Sequence, residues 1–184
     1  EDMQTIVDET LRCRKIVKGL LDFARQTKPQ KQKLDLNRIV EDVLALVRNQ
    51  ASFQNIAIRC ELADNIPLVL ADADQMRQVV LNIILNAADV MPHGGELRIN
   101  SQFDSSEKQV RLRISDTGPG IPAEMQDRLF EPFFTTKRTG TGLGLAIAYG
   151  IMERHKGQLK VESSPGHGAT ILVILSTDVE TLDE

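Results

Sequence analysis

Two asparagines lie one helical turn apart in an apolar stretch of the chain, at Asn82 and Asn86 of VVLNIILNAADVM (residues 79–91). At 100° per residue, Gln78 and Asp89 fall into the same narrow wedge of the predicted helix. Asn is a poor helix former, and an amide buried without a partner costs about 1–3 kcal/mol. This wedge is therefore expected to face a polar group, either elsewhere in the protein or in a ligand.

A carboxylate at the end of a predicted strand is the second candidate. The sequence Asp116-Thr-Gly118-Pro-Gly120-Ile121-Pro follows VRLRIS. An ionised Asp only accepts hydrogen bonds, so it suits a donor ligand such as the exocyclic amine of adenine. The two glycines allow the backbone to approach a ligand closely. The alternative is an ordinary turn that begins with Asp, and this motif taken alone favours the turn.

A glycine-rich segment, Thr139-Gly140-Thr141-Gly142-Leu143-Gly144, runs directly into an apolar helix. The unpaired N–H groups and the positive dipole end of such a junction can bind phosphate. The segment is not a Walker A loop, because it lacks the Lys-Ser/Thr pair, and no clear strand precedes it as in a Rossmann turn. Taken alone, it is equally compatible with a flexible loop.

Between these two motifs lies LFEPFFTTK, residues 129–137. About twenty loop-like residues between Gly120 and Gly140 are a long excursion for a compact domain and are typical of a lid. Pro122 is expected to begin a short helical turn, the phenylalanines to anchor the lid, and Lys137 to reach a terminal phosphate. Without nucleotide, residues 121–141 are expected to be mobile. The alternative is a hydrophobic loop packed for stability, which partly accounts for the phenylalanines.

The pattern of apolar residues predicts the elements that position these groups. Helices are predicted over residues 3–26, from about residue 35 or 37 to 47, over 72–91 and over 143–155, and strands over 56–62, 68–70, 96–102, 109–115, 158–163 and 170–175. Because the strands come in adjacent pairs, the predicted fold is an α+β two-layer sandwich with a mixed sheet covered on one face by helices. The predicted organisation is a helix within 1–28, a polar linker at 29–33 and a domain over 34–184.

Composition limits the remaining possibilities. The chain has 184 residues, no Trp and one Tyr, which argues against stacking on nucleic acid. Residues 12–33 hold eight Lys or Arg and one acid, a charge that could bind nucleic acid or an acidic protein. Because no recognition motif accompanies it, a solvated face is favoured over DNA binding. Cys13 and Cys60 belong to no paired motif, which indicates a reducing cytosol without a zinc site or disulfide. No membrane span or signal peptide is recognised, so a soluble, cytoplasmic chain is expected.

The three histidines do not have the spacing of metal ligands. His93 lies in a predicted turn, His167 lies between two glycines, and His155 lies at a helix C-terminus, where a positive charge would suit the helix dipole. All three are expected to be structural or exposed.

Taken together, the motifs Asn82-x-x-x-Asn86, Asp116-x-Gly118-x-Gly120, Phe130-x-Pro-Phe and Gly140-x-Gly142-x-Gly144 resemble the N, first glycine, F and second glycine boxes of sensor histidine kinases. Order and spacing match over about residues 34–176. Residues 1–28, ending in KIVKGLLDFAR, resemble the second helix of the dimerisation and phosphotransfer hairpin of this family. The variant Phe-Phe-Thr-Thr-Lys resembles the nitrogen-regulation type.

The resemblance implies the ATP-binding fold of the gyrase, Hsp90, histidine kinase and MutL superfamily, with ATP and Mg²⁺ as cofactors. It implies that Asn86 offers its amide oxygen to Mg²⁺, that Asn82 lines the phosphate side, and that Asp116 accepts the adenine amine. The second glycine box would cradle the phosphates, and Thr170 matches a third glycine-containing segment near the adenine. The implied ATP site comprises Asn82, Asn86, Asp89, Asp116, Gly118, Gly120, Ile121, Lys137, Gly140, Thr141, Gly142, Leu143, Gly144 and Thr170.

The resemblance also sets the expected activity. The related ATPases carry a water-activating Glu at the position of Asn82, and Asn cannot act as a general base, so phosphoryl transfer is favoured over hydrolysis. The phosphoacceptor His of the family is missing, so the chain is expected to be a fragment that cannot phosphorylate itself. Expected partners are a response regulator receiver domain, the missing phosphotransfer helix and, in a full-length homodimer, a second copy, with any membrane anchor in absent regions. The alternatives are an ATPase or serine kinase of the same superfamily and a nucleotide-binding pseudokinase.

Overall fold

A computed structural model of the chain describes residues 7, 10, 13, 14, 17, 28–137 and 140–177. The helix predicted over 3–26 therefore lies largely outside the described residues, although its five described positions are helical. Within the described ranges, no helix combines the length and the apolarity that crossing a bilayer requires.

The described chain forms two layers. In chain order, the elements are β1 (Gln32–Leu34), α1 (Leu36–Val47), a 3₁₀ turn (Ala51–Phe53), β2 (Ile56–Leu62), β3 (Val69–Ala71), α2 (Ala73–Asp89), β4 (Gly95–Asp104), β5 (Gln109–Asp116), α3 (Ala123–Gln126), α4 (Gly144–Arg154), β6 (Gln158–Ser163) and β7 (Ala169–Ser176). The main sheet has the order β2-β4-β5-β7-β6, in which only the β2–β4 pair is parallel. The predicted α+β sandwich with a mixed sheet is confirmed.

The core lies between one face of this sheet and the helices. Alternate residues of β5, namely Val110, Leu112 and Ile114, are buried, whereas Arg111 and Arg113 between them face the other side. On the helical side, α2 contributes residues such as Val79 and Ile84, which are fully buried. The helix that carries the two asparagines is thus fixed by the core along most of its length.

The predicted linker is partly wrong. Gln32 and Lys33 belong to β1, which pairs antiparallel with β3 in a separate two-stranded sheet. A strand of three residues is too short to show an alternating pattern in the sequence. The 3₁₀ turn at 51–53 was also not predicted. The predicted bounds of β2 and β6 are confirmed, and those of the other predicted elements in the described domain agree to within two residues.

His155 joins the end of α4 to the start of α2. The buried ring donates from Nδ1 to the Ile151 carbonyl at 2.8 Å, and its Nε2 accepts the Asp72 backbone N–H at 3.0 Å. Burial lowers the pKa of His155 and thus favours the neutral ring, as does the Nε2 atom that accepts a hydrogen bond. The prediction of a structural role is confirmed, and the positive charge that would suit the helix dipole is disfavoured here.

Candidate functional site

A cavity of about 310 Å³ opens between α2, the loop that follows β5, the segment before α4 and the N-terminus of α4. This volume lies at the lower end of the usual range for small-molecule sites. Most of the residues predicted from the sequence line it, namely Asn82, Asn86, Asp89, Gly120, Ile121, Lys137, Gly140, Thr141, Gly142 and Gly144. Four separate motifs of the sequence therefore meet at one place.

The two asparagines of α2 have polar partners on the opposite side of the cavity. Asn82 donates from Nδ2 to the Gly144 carbonyl at 3.0 Å. Asn86 accepts at Oδ1 from the Lys137 ammonium at 2.7 Å, and the same ammonium lies 3.3 Å from an Asp89 carboxylate oxygen. The polar wedge thus faces polar groups, as predicted. The Asn86 amide oxygen is oriented toward a cation.

Asp116 ends β5 and lines a smaller inner cavity of about 30 Å³. Ile83, Ile114 and Ile171 form apolar walls of this inner cavity, which adjoins the main one at Asn86 and Gly120. Burial raises the pKa of Asp116, although the Gly118 N–H donates to its Oδ1 at 2.8 Å and partly opposes the effect. A carboxylate in such apolar surroundings favours a ligand that brings a hydrogen-bond donor.

The loop after Asp116 is fixed to the β6–β7 hairpin. Gly120 has a φ of +74°, and a Cβ there would overlap the Ser164 carbonyl oxygen, so glycine is required. Ser163 accepts from the Ile121 N–H at 2.8 Å and donates to the Gly168 carbonyl at 2.6 Å. Gln126 donates from Nε2 to the Ile121 and Ser163 carbonyls, both at 2.9 Å. These contacts shape the mouth of the inner cavity. Ser163 and Gln126 were not predicted, because they lie outside every motif.

The glycine-rich segment leads into α4 at the main cavity. The N-cap residue of α4 is Leu143, whose apolar side chain cannot cap the helix, so the first-turn N–H groups can serve a ligand. Gly142 has a φ of +66°, and its carbonyl accepts the Phe133 N–H at 3.0 Å. Backbone donors and the positive end of the helix dipole therefore meet at this side of the cavity, which suits phosphate.

The segment that precedes α4 packs mainly through aromatic side chains. Its first turn is α3, with Pro122 as N-cap residue, which confirms the predicted helical turn. Phe130 stacks on Tyr149 of α4 with ring centroids 5.3 Å apart, and the Arg128 guanidinium lies 4.4 Å from the Phe134 ring centre. Anchoring is thus confirmed for Phe130, whereas Phe133 is 56% exposed and has a φ of +67°.

Three predicted site residues do not line either cavity. Gly118 contributes its N–H to Asp116 instead, and the Leu143 side chain is buried in the interior. Thr170 bonds the Ser115 hydroxyl at 2.8 Å, and its neighbours Ala169 and Ile171 line the inner cavity. Alternate residues of a strand face opposite sides, so Thr170 lies on the other face of β7 from the inner cavity, and its place near the adenine stays a prediction.

Apolar residues supply much of the lining that sequence motifs did not identify. The main cavity is also lined by Leu85, Val90, Met125, Leu129, Thr135 and Thr136. Helical periodicity next to Asn86 could have indicated Leu85 and Val90, but the others depend on how the loop folds back. Within the described ranges, no cluster of three His, Cys, Asp or Glu side chains could hold a metal ion.

Comparison with known proteins agrees with this geometry. Residues 71–179 match the family described as "Histidine kinase-, DNA gyrase B-, and HSP90-like ATPase". The chain is 37% identical over 175 residues to the signal transduction histidine-protein kinase AtoS of Escherichia coli K12, and this match covers 95% of the chain and 29% of AtoS. The chain therefore spans less than a third of the length of this relative.

Solved structures of histidine kinases have the same fold. Full-length ShkA in complex with AMPPNP superposes with a TM-score of 0.78 at 28% identity, over 91% of this chain and 36% of ShkA. ThkA in complex with the response regulator protein TrrA gives a TM-score of 0.78 at 27% identity, over 93% and 49% of the two chains. Motifs, cavity and relatives agree: the chain belongs to the family of histidine kinase-, DNA gyrase B- and HSP90-like ATPases, and it comprises the ATP-binding catalytic domain of a sensor histidine kinase.

Proposed function

We propose that this domain binds Mg-ATP with the adenine edge in the inner cavity and the phosphates in the main cavity. In the full-length protein it would transfer the γ-phosphoryl group to a histidine outside this chain, for relay to a response regulator. The observation that carries the proposal is that Asp116, Asn86, Lys137 and the α4 N-terminus line two adjoining cavities that share Asn86 and Gly120. Adenine needs an acceptor in an apolar slot, and a triphosphate needs cationic and backbone donors.

The proposed site consists of residues that line the cavities or shape them. Asp116 would accept the adenine amine, Gly118 would hold that carboxylate, and Gly120 and Ile121 would form the slot. Asn82, Asn86, Asp89, Lys137 and the segment Gly140–Gly144 would surround the phosphates. Thr170 is left out, because its hydroxyl bonds Ser115.

Magnesium fits the Asn86 amide oxygen. Mg²⁺ prefers oxygen ligands, keeps several waters and is commonly held by one or two protein groups together with substrate phosphates. Asn86 Oδ1 accepts from a cation, the Lys137 ammonium, at 2.7 Å, and this contact supports the assignment of the oxygen as a metal ligand. Asn86 would hold the metal, and the metal would neutralise charge on the phosphates.

The site lacks the group that would activate water at the position of Asn82. The Asn82 amide is held by the Gly144 carbonyl, and an amide cannot take up a proton at neutral pH. The domain is therefore expected to position ATP for a nucleophile brought by another segment rather than to hydrolyse it. The histidines of the sequence do not provide that nucleophile: His155 is buried against Asp72, and neither His93 nor His167 lines the cavity.

Calorimetric titration with a non-hydrolysable ATP analogue in the presence of Mg²⁺ tests the proposal. The Asp116→Asn substitution keeps the shape but offers the adenine amine a mixed donor and acceptor, so affinity should fall about tenfold or more. Asp64→Asn, at an exposed position that lines neither cavity, is the matched control and should bind like the wild type. Equal affinity of Asp116→Asn and wild type would show that the adenine assignment is wrong.

A further inference from the structure

Lys137 occupies the position that the proposed function gives to the metal. Its ammonium lies 2.7 Å from Asn86 Oδ1, 3.3 Å from an Asp89 carboxylate oxygen and 3.4 Å from the Asn86 backbone carbonyl. The Lys137 side chain is only 26% exposed, and these three oxygens of α2 are the polar partners of its ammonium. An amide oxygen is thus used by an internal cation.

Lys137 and Mg²⁺ cannot use this oxygen together. Mg²⁺ binds oxygen at about 2.0–2.1 Å and demands a near-octahedral shell, which an ammonium in hydrogen-bond contact with the same atom would obstruct. The two positive charges would also repel each other strongly in a partly enclosed site. Metal entry at Asn86 therefore requires that the Lys137 ammonium moves away.

Lys137 leaves these oxygens most readily when another anion compensates its charge. Its N–H donates to Thr135 Oγ1 at 3.1 Å, and its carbonyl accepts the Gly140 N–H at 3.3 Å, so local bonds hold its backbone beside the cavity that its side chain lines. In the nucleotide complex of the proposed function, the terminal phosphate is the new anion offered to this ammonium. ATP offers a γ-phosphate to the Lys137 ammonium. ADP has no γ-phosphate, so Asn86 and Asp89 remain the best partners of the ammonium.

We propose that Lys137 is a specificity-determining residue: it excludes Mg²⁺ from Asn86 until a nucleotide with a γ-phosphate draws its ammonium away. Metal binding is thereby coupled to the triphosphate, and ADP is held with little help from Mg²⁺. This inference rests on the proposed function, since it takes the cavity to be the nucleotide site and Asn86 to be the metal ligand.

The test measures how Mg²⁺ changes the affinity for ADP and for a non-hydrolysable ATP analogue. In the wild type, Mg²⁺ should strengthen binding of the ATP analogue about tenfold or more and leave ADP binding nearly unchanged. In Lys137→Met, which keeps the length of the side chain without its charge, ADP binding should gain a Mg²⁺ dependence of similar size. Lys160→Met, at an exposed position of β6, is the control and should behave like the wild type.

Mn²⁺ binding followed by electron paramagnetic resonance gives a second readout without activity. In the presence of ADP, Lys137→Met and Lys137→Gln should both bind Mn²⁺ more tightly than the wild type. If Mg²⁺ strengthens ADP and ATP-analogue binding equally in the wild type, the inference is overturned while the proposed function stands. If the wild type binds neither nucleotide, the proposed function fails and the inference fails with it.

Discussion

The two sides of the cavity are built differently. Asn82, Asn86 and Asp116 form a fixed side, on α2 and at the end of β5, where neighbouring residues such as Val79, Ile83 and Ile114 are buried in the core. Residues 123–142 form a lid side, with 138 and 139 outside the described residues. In the lid side, α3 has no buried residue, and packing rests on partly buried side chains, namely Leu129 and Phe130 against the core, with Phe130 stacked on Tyr149.

This difference separates two tasks. Groups on helices and strands are held more precisely than groups on loops, so the fixed side suits recognition of the adenine and placement of the metal. Segments with few buried apolar contacts open more easily, so the lid side suits a contact that must form and break, as at Lys137.

Gly142→Ala should damage the lid side alone. Its φ of +66° is strained for alanine, and the added Cβ would clash with the Phe133 backbone. Strain of this kind costs about 1–3 kcal/mol, so affinity for the ATP analogue should fall about tenfold or more while the fold persists. Calorimetry measures the nucleotide affinity, and a thermal melt of the same sample measures the stability of the fold.

Gly150→Ala is the matched control for this substitution. A Cβ at Gly150 would meet only the Arg154 side chain, at 3.6 Å, and alanine is favoured over glycine inside α4 by about 1 kcal/mol. Nucleotide affinity should not change. If both alanine variants lose affinity equally, the backbone conformation at Gly142 is not what supports the lid side.

Hydrogen exchange should distinguish the two sides directly. In the nucleotide-free protein, amides of residues 127–137 should exchange faster than those of residues 79–88 in α2, because the helix is held by the core. Adding the ATP analogue with Mg²⁺ should slow exchange over 127–137 several-fold and change α2 little. Equal protection of residues 127–137 with and without nucleotide would argue against a lid.

Asp116→Asn should stabilise the nucleotide-free protein slightly. Burial raises the pKa of Asp116 in the folded state, so the folded protein binds its proton more tightly than the unfolded chain does. The contribution of this carboxyl to stability is therefore present at pH below about 3.8 and is lost as the pH rises through the folded pKa. Asparagine does not titrate and avoids this loss. At pH 7, the free energy of unfolding of Asp116→Asn should therefore exceed that of the wild type slightly, by at most about 2 kcal/mol.

Chemical denaturation of wild type and Asp116→Asn over pH 4–8 measures this effect. The advantage of Asp116→Asn should grow as the pH rises and should then level off. A variant that is less stable than the wild type at pH 7 would show that the hydrogen bonds to the Asp116 carboxylate outweigh its burial. In that case the buried Asp116 carboxylate of the fixed side would not lower the free energy of unfolding.

The sequence predicted the fixed side better than the lid side. Asn82, Asn86 and Asp116 could be found because helical spacing and a strand end determine where their side chains lie. Lining residues such as Met125 and Thr135 depend on how a long loop returns to the domain, which local sequence does not encode. For Thr170, the motif located the β6–β7 hairpin but could not indicate which face of β7 each residue occupies, and its hydroxyl bonds Ser115 instead of lining a cavity.

The strand β1 and the buried ring of His155 illustrate the same limit. Gln32 and Lys33 look like linker residues until their pairing with β3 is seen. His155 looks like a helix-end cation until its contact with Asp72, 83 residues away along the chain, is seen. Long-range partners, rather than local propensity, decide both outcomes.

If the cavity is a Mg-ATP site with Asn86 as the metal ligand, titration of wild type and Asn86→Ala with the ATP analogue, with and without Mg²⁺, tests it most directly. We expect Mg²⁺ to strengthen binding to the wild type, and Asn86→Ala to lose this dependence while keeping most of the metal-free affinity. The same Mg²⁺ dependence in both proteins would contradict it.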